Sequence, residues 1–575
     1  MRFLRAVAID FDGTLTSGGR PDEEVLAALA RFRAAGGRIV LITGRIRSEL
    51  LEVFGDVADH VDVLVTENGG VLSTPDLERV LAEPLPDELF AALADAGIAA
   101  RRGQVLAACH ARDSTRVLEL TREIGVECQL VFNRGELMVL PPGISKATGV
   151  RLALDELELS VHNAVAIGDA ENDHSLLHAC EVGVAPANAV DSLKAAADLV
   201  LPLPDGRAVE ALLRRVESRE ATLHSRRWRL DLGTYANGRP VRIPLAGTNV
   251  LLAGGTRSGK SFLAGLVAED LIELGFRTLV VDPEGDHLGL RHLPGVRWLG
   301  GRDLPPSPTR LDALIGDRGE SLVIDLSHLD LDGKVRWLRD LPEYVVTHRE
   351  RTGHPHWVLL DEAHLALGSD EQAGRLLGDD QTQYCFVTYL PDLLPPLVRE
   401  RIDTVVLVGT TLELSASIAG VVAPLLRLSP GDLARELDEA THGNAVLLRR
   451  GHRGRVSTFR IRGRHTKHVR HWHKYTERHL QTHQQFWFRR SHDEITGRTA
   501  SNLAELYDEL VACDAEVVAH HIAGGDFSRW IGGVIGDHAL AAVVASAERA
   551  ATRDDDPEEA RRAIATAVHE RYLED

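Results

Sequence analysis

Two carboxylates near the start of the chain are the first residues whose spacing suggests chemistry. Asp10 and Asp12 flank a single residue in AIDFDGT, directly after a short apolar run. In such a pair, one carboxylate can attack phosphorus while the other moves a proton. A carboxylate about 4 Å from a phosphate charge is repelled by about 4 kcal/mol at an effective dielectric near 20, so this chemistry requires a divalent cation and a lysine.

Later motifs supply both requirements. Lys146 opens a predicted helix in PPGISKATGV, and GDAEND carries Asp169 and Asp173 as metal-side carboxylates after another apolar run. Thr43 and Gly44 end the run in LITGR, where a hydroxyl and backbone N–H groups can hold phosphoryl oxygens. These motifs together predict a phosphoryl-transfer site that uses Mg²⁺.

A second phosphate-binding sequence lies near the middle of the chain. GGTRSGKS fits G-x-x-x-x-G-K-[ST], in which the backbone wraps phosphates, the lysine reaches the β- and γ-oxygens and the serine ligates Mg²⁺. The expected nucleotide-binding residues are Gly254, Gly255, Thr256, Arg257, Ser258, Gly259, Lys260 and Ser261. Further on, HWVLLDEAH predicts Asp361 as a Mg²⁺ residue and Glu362 as the residue that polarises the attacking water. ATP is the predicted ligand.

Hydrophobic patterning indicates the elements that position these motifs. Short apolar runs alternate with helical patterns over 1–216 and again over 244–462, which is typical of buried parallel strands covered by helices. A smaller α+β insert is expected between 74 and 142, and 486–575 is expected to be largely helical. The Asn-Gly of LGTYANGRPVRIPL is a hairpin signal.

The predicted fold class is α/β, in several domains because 575 residues exceed one hydrophobic core. The expected units are a Rossmann-like core (1–73 and 143–216), an inserted cap (74–142), a linker (217–243), a RecA-like P-loop ATPase domain (244–462), a basic His-rich linker (463–485) and a mostly helical C-terminal domain (486–575).

The order of the N-terminal motifs carries a family resemblance. DFDGT, LITGR, TENGG, a lysine helix and GDAEND together resemble the haloacid dehalogenase (HAD) superfamily, and the small insert resembles its Cof-type branch. The resemblance implies that Asp10 is a nucleophile forming an aspartyl-phosphate and that Asp12 is the general acid/base. It implies that Thr43 and Lys146 hold the phosphoryl group.

The same resemblance implies the metal and substrate contacts. The expected Mg²⁺ ligands and their supports are Asp10, the Asp12 carbonyl, Asp169, Asn172 and Asp173. The residues expected to face the substrate are Glu67, Asn68, Asn133 and Arg134.

The second block resembles the HerA/FtsK group of ring-forming, DNA-pumping ATPases through VVDPEGDH, SLVIDLSHLD and LLDEAH. The resemblance implies a homo-oligomeric ring, expected to be a hexamer, with Arg399 and Arg401 as candidate arginine fingers. Two features depart from the family pattern. Tyr389 follows Thr388 where the family has glutamine, and residues 226–245 are too short for its N-terminal β-barrel.

Charge is distributed unevenly. The net charge of −20 argues against a chain-wide nucleic-acid coat, yet residues 441–475 contain no Asp or Glu. The sites expected for DNA contact are therefore the ATPase ring and the basic segment 449–474, with Trp472 and Tyr475 available for stacking. A solvated or partner-facing linker is the alternative, and a metal site is a third interpretation, built from His465, His468, His471 and His473.

The remaining features bound location and the C-terminal segment. No apolar run approaches the roughly 20 residues of a membrane span, and five scattered cysteines without a CxxC indicate a reducing interior, so a cytoplasmic location is predicted. The residues expected in the C-terminal core are Phe486, Trp487, Phe527 and Trp530. A candidate polar site there is His520, His521 and Asp526.

Two function classes follow. In the first, the chain is a two-site enzyme, a Mg²⁺-dependent phosphatase fused to a ring-forming ATPase that acts on DNA or nucleotides. In the second, the ATPase ring is a switch or scaffold for a partner protein, as in a defence or stress-signalling assembly, and the N-terminal site handles a small sugar phosphate or serves regulation.

Overall fold

The computed structural model describes residues 3–218, 223–225, 227–255, 258–301, 303–311, 320–377, 382–409, 421–423, 429, 431, 433, 445–450, 457–466, 476, 480–492, 494–554 and 556–573. In that part of the chain, no helix combines the length and the apolar character that a membrane span requires.

The N-terminal unit contains twelve strands and nine α-helices in the described residues. Its strands are β1 Ala6–Asp10, β2 Arg38–Ile42, β3 Val63–Thr66, β4 Val71–Ser73, β5 Glu78–Val80, β6 Arg101–Arg102, β7 Ala107–His110, β8 Gln129–Asn133, β9 Glu136–Leu140, β10 Ala164–Ile167, β11 Val182–Ala185 and β12 Leu199–Val200. Its helices are α1 Glu23–Ala34, α2 Arg47–Val53, α3 Val57–His60, α4 Asp87–Asp95, α5 Ser114–Ile124, α6 Lys146–Glu156, α7 His174–Ala179, α8 Asp191–Ala196 and α9 Asp205–Glu217.

Eight of these strands form the core sheet, in the order β12-β11-β10-β1-β2-β3-β4-β5. The strands from β12 to β3 are parallel, and β4 and β5 are antiparallel additions. Val7 and Ile9 pack in one hydrophobic cluster while Ala6 and Ala8 pack in another on the opposite face, which explains the unbroken apolar run. The carboxyl ends of β1, β2 and β10 therefore present their following residues at one edge of the sheet.

The cap is a separate sheet in the order β6-β7-β9-β8, covered by α4 and α5. All of its strand pairs are antiparallel. The insert was predicted to begin at residue 74, whereas β5 still pairs with β4 of the core sheet and the cap's first helix begins at Asp87. The short polar strand β5 carries no apolar period, and only its pairing partner reveals it.

A second large sheet follows. Its strands are β13 Arg229–Tyr235, β14 Pro240–Pro244, β15 Val250–Gly254, β16 Thr278–Asp282, β17 Val296–Gly300, β18 Ser321–Asp325, β19 Trp357–Leu360, β20 Tyr384–Thr388, β21 Thr404–Val408, β22 Ala445–Arg449 and β23 Ser457–Ile461. The helices described around it are α10 Lys260–Glu273, α11 Leu331–Thr352, α12 Ala363–Ala366, α13 Asp370–Leu377 and α14 Pro396–Arg401.

The strand order is β14-β13-β23-β22-β21-β15-β20-β19-β16-β18-β17. The seven strands from β21 to β17 are parallel, so the sheet has the α/β character predicted from the alternating pattern. The strand β15, which leads into GGTRSGKS, is separated by only one strand, β20, from β19, which leads into DEAH. Two motifs that are about a hundred residues apart in sequence thus end at the same sheet edge.

The hairpin predicted at Asn237-Gly238 is confirmed, because β13 and β14 pair antiparallel across it. The linker predicted over 217–243 is wrong for these strands, since β13 also pairs with β23 and so belongs to the second sheet. That pairing joins segments more than 200 residues apart, which local sequence patterns do not report.

The two sheets contact each other through the loops that precede their strands. The His162 ring stacks on Phe276 at 3.6 Å, and its Nε2 lies 2.9 Å from the Leu274 carbonyl. The Asn163 side chain donates to the Gly353 carbonyl, and its Oδ1 lies 2.7 Å from His354 Nε2. Because these residues come just before β10, β16 and β19, the two domains meet at the amino edges of both parallel sheets.

The C-terminal unit begins with a hairpin, β24 Phe486–Arg489 and β25 Ile495–Ala500, before its helices. The helices are α15 Leu503–Ala512, α16 Ala515–Gly524, α17 Asp526–Trp530, α18 His538–Asp554 and α19 Pro557–Val568. Phe486, Phe527 and Trp530 lie in its core as predicted. The prediction for Trp487 is wrong, because Trp487 is 38% exposed. Alternate residues of a strand face opposite sides, and FWFR is a strand rather than a helix.

Candidate functional site

The centre of the N-terminal site is a buried ion network. Lys146, the first residue of α6, contacts Asp10 Oδ1 and Asp173 Oδ1 with its ammonium group, each at 2.5 Å. Asp10 ends β1, and Asp173 accepts hydrogen bonds at 2.9 Å from the backbone N–H groups of Asp169 and Ala170. The structure therefore brings together residues of three predicted motifs at the carboxyl edge of the sheet.

Asp169 completes a group of three buried carboxylates with Asp10 and Asp173, whose oxygens lie within 4.8 Å of one another. Its Oδ1 accepts a hydrogen bond from the Thr14 hydroxyl at 3.1 Å, and its Oδ2 pairs with the Arg134 guanidinium from the cap. A Cβ at Gly13 would lie 2.4 Å from Asp169 Oδ2, so only glycine allows the carboxylate this position. This donor set suits a hard divalent cation.

Burial and mutual repulsion govern the protonation of these acids. Burial raises the pKa of Asp10 well above its usual range, and the neighbouring Asp173 raises it further, while Lys146 opposes both. Burial and Asp173 likewise raise the pKa of Asp169. Burial alone would lower the pKa of Lys146, but the two carboxylates more than reverse that effect. The network therefore holds an excess of negative charge that a cation would relieve.

Asp12 lies outside this group of three carboxylates and is paired with Arg45. The Arg45 guanidinium contacts both oxygens of Asp12, and its backbone N–H donates to the Thr43 hydroxyl at 3.1 Å. Thr43 is buried and follows Ile42, which is the register partner of Asp10. The structure thus gathers Asp10, Asp12 and Thr43 as predicted, and adds Arg45, which follows the predicted Thr43–Gly44 pair directly in sequence.

A cavity of about 510 Å³ separates the core from the cap. It is lined from the core by Asp12, Gly44 and Arg45, and from the cap by residues that include Arg101, His110, Asn133 and Arg134. Asn133 and Arg134 were expected to face the substrate, and they do line this cavity. Arg101 and His110 were missed, because their strands carry no motif and only the cap's fold turns them toward the core.

Glu67 and Asn68 have other partners. The Glu67 carboxylate accepts hydrogen bonds from the backbone N–H groups of Gln104, Val105 and Leu106, at 2.8, 2.8 and 3.2 Å. Asn68 Oδ1 accepts a hydrogen bond at 3.2 Å from the side chain of Asn172. Glu67 therefore anchors the cap backbone to the core, and the expectation that it faces the substrate is wrong.

Comparisons with known proteins match the N-terminal part of the chain. The profile of haloacid dehalogenase-like hydrolases matches residues 7–111 and 120–213. The phosphoglycolate phosphatase of Methanothermobacter thermautotrophicus is 30% identical over 227 residues, an alignment that covers 37% of this chain and 98% of the relative. The chain belongs to the haloacid dehalogenase-like hydrolases.

Other relatives match the same HAD domain. The phosphoglycolate phosphatase of Archaeoglobus fulgidus is 30% identical over 226 residues, covering 36% of this chain and 95% of the relative. A solved haloacid dehalogenase-like hydrolase from B. subtilis superposes with a TM-score of 0.32 and 18% identity, covering 37% of this chain and all of that chain, 100%. The residues beyond the HAD domain lie outside these matches.

The glycine-rich loop of the second domain lies between β15 and α10. Gly259 has φ +95° and precedes Lys260, the first residue of α10, so the loop turns through a left-handed conformation that glycine adopts without strain. A Cβ at Gly254 would lie 2.5 Å from the Ser258 hydroxyl and from the Val408 carbonyl. Gly255 and Ser261 flank this turn, while Thr256 and Arg257 lie outside the described residues.

The predicted acidic pair lies opposite the loop. Glu362 Oε1 is 3.6 Å from Lys260 Nζ, and Asp361 accepts a contact from His287 Nε2 at 3.0 Å. Burial raises the pKa of Glu362 to about 7, although the Lys260 ammonium lowers it. Glu362 itself has φ +46°, a left-handed conformation that side chains rarely adopt. The structure therefore brings Lys260, Asp361 and Glu362 together, as the sequence predicts.

Residues around the end of β20 extend this group. Thr388 Oγ1 lies 3.0 Å from His364 Nδ1, and the Tyr389 ring packs edge-on against the His364 ring at 5.1 Å. The Tyr389 ring centre is also 5.9 Å from Lys260 Nζ. The candidate fingers Arg399 and Arg401 are half-buried residues of α14.

The basic segment 449–474 is only partly described, and four of its five described arginines contact the protein itself, whereas Arg460 is exposed. Arg462 pairs with Asp270, and the Arg464 side chain is 1% exposed beside Glu269. Arg450 donates to the Ile402 carbonyl at 2.8 Å. His465 lies 3.0 Å from Glu273, whereas His468, His471, Trp472, His473 and Tyr475 lie outside the described residues.

The polar group of the C-terminal unit has a structural explanation. His521 Nδ1 is 2.6 Å from Asp526 Oδ2, and its Nε2 accepts a hydrogen bond from the Arg489 backbone at 2.8 Å. Burial lowers the pKa of His521, consistent with this acceptor role. The ring is 3% exposed and ties the hairpin to α16. His520 packs against it at 5.3 Å between ring centres.

Proposed function

We propose that the HAD domain is a Mg²⁺-dependent phosphohydrolase that acts through an aspartyl-phosphate on Asp10. The observation that carries this proposal is the buried network in which Lys146 contacts Asp10 and Asp173 at 2.5 Å. Asp10, Asp169 and Asp173 offer the oxygen donors that Mg²⁺ prefers, so these residues would hold the metal. A bound Mg²⁺ would offset the repulsion between the attacking carboxylate and the substrate phosphate.

The side chains then have distinct roles in the proposed reaction. Lys146 holds Oδ1 of Asp10, so Oδ2 is the oxygen that we assign as the nucleophile. It bonds to phosphorus as the ester oxygen leaves, and Asp12 gives that oxygen a proton. Asp12 then takes a proton from water, which attacks the aspartyl-phosphate and releases inorganic phosphate. Thr43 is assigned to hold a phosphoryl oxygen through its hydroxyl.

The substrate class that we favour is a small phosphorylated acid such as phosphoglycolate. Arg45, Arg101 and Arg134 line the cavity of about 510 Å³ between core and cap. Each is paired with a carboxylate: Arg45 with Asp12, Arg101 with Glu49 and Glu136, and Arg134 with Asp169. Arg101 and Arg134 are 49% and 55% exposed, so a second anionic group of the substrate would bind by exchanging with one of their carboxylates. Phosphoglycolate phosphatases are among the relatives that align over the whole HAD domain. The alternative class is a neutral sugar phosphate, which would use the same phosphoryl contacts without the second charge.

Phosphate release from a panel of both classes tests the proposal. Wild-type protein with Mg²⁺ is expected to hydrolyse phosphorylated acids with a higher kcat/KM than neutral sugar phosphates, and Asp10→Asn is expected to abolish both activities. A preference for sugar phosphates would contradict the proposed substrate class but would be consistent with the proposed reaction. Activity that survives both chelation of the metal and Asp10→Asn would contradict the mechanism.

We also propose that the second domain binds and hydrolyses ATP. The supporting observation is the approach of Glu362 to 3.6 Å from Lys260, at the sheet edge where the loop Gly254–Lys260 begins α10. Lys260 is assigned to the β- and γ-phosphates, and Ser261 and Asp361 to Mg²⁺. With its pKa raised to about 7, Glu362 suits a general base for the attacking water.

A hexameric ring and a DNA cargo remain proposals drawn from the HerA/FtsK resemblance. A cytoplasmic location remains a proposal drawn from the scattered cysteines. Within the part of the basic segment that the structure describes, the inward contacts of Arg450, Arg462 and Arg464 engage charges that a DNA backbone would need, which favours the alternative in which the ATPase acts as a switch or scaffold. Phosphate contacts on DNA require several exposed Lys or Arg residues per protomer.

The discriminating experiment is phosphate release from ATP with and without duplex DNA. Asp10→Asn protein is used so that the HAD site contributes no phosphate, and Asp10→Asn/Lys260→Ala serves as the blank. ATP turnover that is indifferent to duplex is expected under the switch proposal. Strong stimulation that fades as salt rises would identify a DNA-dependent motor instead. Equal release by the blank and its parent would contradict ATP hydrolysis at this loop.

A further inference from the structure

Arg134 connects the cap to the group of three buried carboxylates in the core, Asp10, Asp169 and Asp173. It lies in the turn between β8 and β9 with φ +52°, and its backbone N–H is 3.3 Å from Glu171 Oε2. Its guanidinium pairs with Asp169 Oδ2. The Arg134 side chain is 55% exposed, whereas the Asp169 side chain is 0% exposed. A solvent-accessible cation thus reaches a carboxylate that is otherwise enclosed by the protein.

The charges explain why this carboxylate attracts a cation. Asp10, Asp169 and Asp173 bring three carboxylates within 4.8 Å, and Lys146 supplies one ammonium group to them. Arg134 adds a second positive charge from outside, but it engages only Asp169. A divalent cation adds two charges and can engage several carboxylates at once. Asp169 Oδ2 cannot accept a guanidinium and a metal ion in the same place.

The cavity offers Arg134 a second position. Arg134 lines the space between core and cap together with Arg45 and Arg101, the groups that we assign to an anionic substrate. Arginine's planar fork binds carboxylate or phosphate in two-point fashion, so the side chain is suited to either partner. Its exposure means that moving from Asp169 to a ligand in the cavity requires no repacking of the core.

We propose that Arg134 is an exchangeable counter-ion of Asp169. In the free enzyme the guanidinium and a divalent cation compete for this carboxylate. Binding of the cation releases Arg134 into the cavity, where an anionic substrate holds it. Metal and substrate then bind with positive coupling, because substrate removes the metal's competitor. The inference rests on the proposed metal-dependent function of the HAD site and concerns the residue that regulates metal entry.

The test measures Mn²⁺ and Mg²⁺ binding by calorimetry to the full chain without substrate. Arg134→Met is expected to tighten metal binding by about tenfold or more, because the competing charge-assisted pair is gone. Arg134→Lys, which keeps the charge but loses the fork, is expected to fall between the wild type and Arg134→Met. Heat measured with Asp169→Asn is subtracted as the contribution of other divalent sites, the glycine-rich loop included.

Arg112→Met is the matched control, since Arg112 is a cap arginine that is 78% exposed and beside Asp113. Its metal affinity is expected to equal that of the wild type. Inorganic phosphate, used as the anionic probe, is expected to tighten metal binding by a larger factor in the wild type than in Arg134→Met, where only the direct attraction between phosphate and cation remains.

The outcomes separate this inference from the function on which it rests. Metal binding by the wild type with an equal affinity in Arg134→Met would overturn the exchange while leaving the metal-dependent function intact. No metal binding by any variant would overturn both. A melting temperature of Arg134→Met within the range of Arg112→Met, with tighter metal binding, would support exchange and exclude a general loosening of the fold.

Discussion

Arg45 contacts both carboxylate oxygens of Asp12, with Nη2 at 2.6 Å from Oδ1 and Nε at 2.7 Å from Oδ2. Its guanidinium also lies 5.3 Å from the centre of the Phe11 ring, so the fork is held from two sides. The carboxylate that we propose as the proton donor to the leaving group is thereby fixed in one orientation in the lining of the cavity. The relationship makes Arg45 a positioning residue for Asp12.

Arg45→Lys keeps the positive charge but removes the fork. Because a single ammonium group cannot hold both oxygens of Asp12, kcat for phosphate release is expected to fall about tenfold or more, with a smaller change in KM. Steady-state kinetics on the preferred substrate measure the change. Arg47→Lys, two residues further on, is the control and is expected to behave like the wild type. An unchanged kcat in Arg45→Lys would contradict the positioning role.

Lys146→Met removes the only lysine of the buried network and leaves Asp10 and Asp173 without its ammonium group. The free energy of unfolding of the HAD domain is expected to fall by about 3–5 kcal/mol in the absence of metal, because removing one partner of a buried ion pair leaves an uncompensated charge. Urea unfolding measures it. Lys194→Met, a partly exposed lysine paired with Asp191, is expected to change the value by less than about 0.5 kcal/mol.

The raised pKa of Glu362 predicts how ATP turnover depends on pH. Burial raises its pKa to about 7, and a general base must be deprotonated, so kcat/KM is expected to rise with pH through about 7 and then level off. Phosphate release across that range checks the profile. Glu362→Gln is expected to lose turnover while still binding ATP, which fluorescent nucleotide titration reports. A Glu362→Gln protein with wild-type turnover would exclude this base.

The contact between the two domains predicts instability in acid. Burial lowers the pKa of His354 and of His356 well below the usual value, and Arg277 adds repulsion to both. Below about pH 6.5 the unfolded chain binds protons that the folded chain refuses, so the free energy of unfolding falls by up to about 1.4 kcal/mol per pH unit for each ring.

Unfolding measured between about pH 5 and pH 8 gives this slope. His354→Asn and His356→Asn are each expected to flatten it, since the amide keeps a donor and an acceptor without titrating. His178→Asn, at an exposed position of the HAD domain, is expected to leave the slope as it is. A slope that survives both substitutions would assign the acid sensitivity to other groups.

Site residues that belong to a single motif could be predicted from the sequence. Asp10, Lys146 and Asp173 could be predicted because each follows or begins an element whose apolar pattern fixes its sheet edge. Contacts between motifs could not. Arg134 reaches Asp169 only because the cap folds back over the core, a packing event between segments 35 residues apart that no local pattern specifies.

The same limit applies to elements. The strand β13 joins the second sheet through β23, and the partner of an isolated strand is unknown until the fold brings it there. FWFR in the C-terminal unit contains only large aromatic or basic residues, so composition alone could not separate the buried Phe486 and Phe488 from the exposed Trp487. Its strand geometry, with side chains alternating between faces, makes that separation.

Because the two sheets meet at their amino edges, the HAD site and the glycine-rich loop are held apart. Asp10 and Lys260 both lie near carboxyl edges, which face away from the shared contact, so at least one strand length of each sheet, roughly 16 Å for five residues, lies between them. The two sites therefore do not share a cavity in the part of the chain that the structure describes. Communication between the sites within one chain would therefore pass through the contacts at the amino edges, among them those of His162, Asn163 and Arg277, as a small rotation or displacement of one domain against the other.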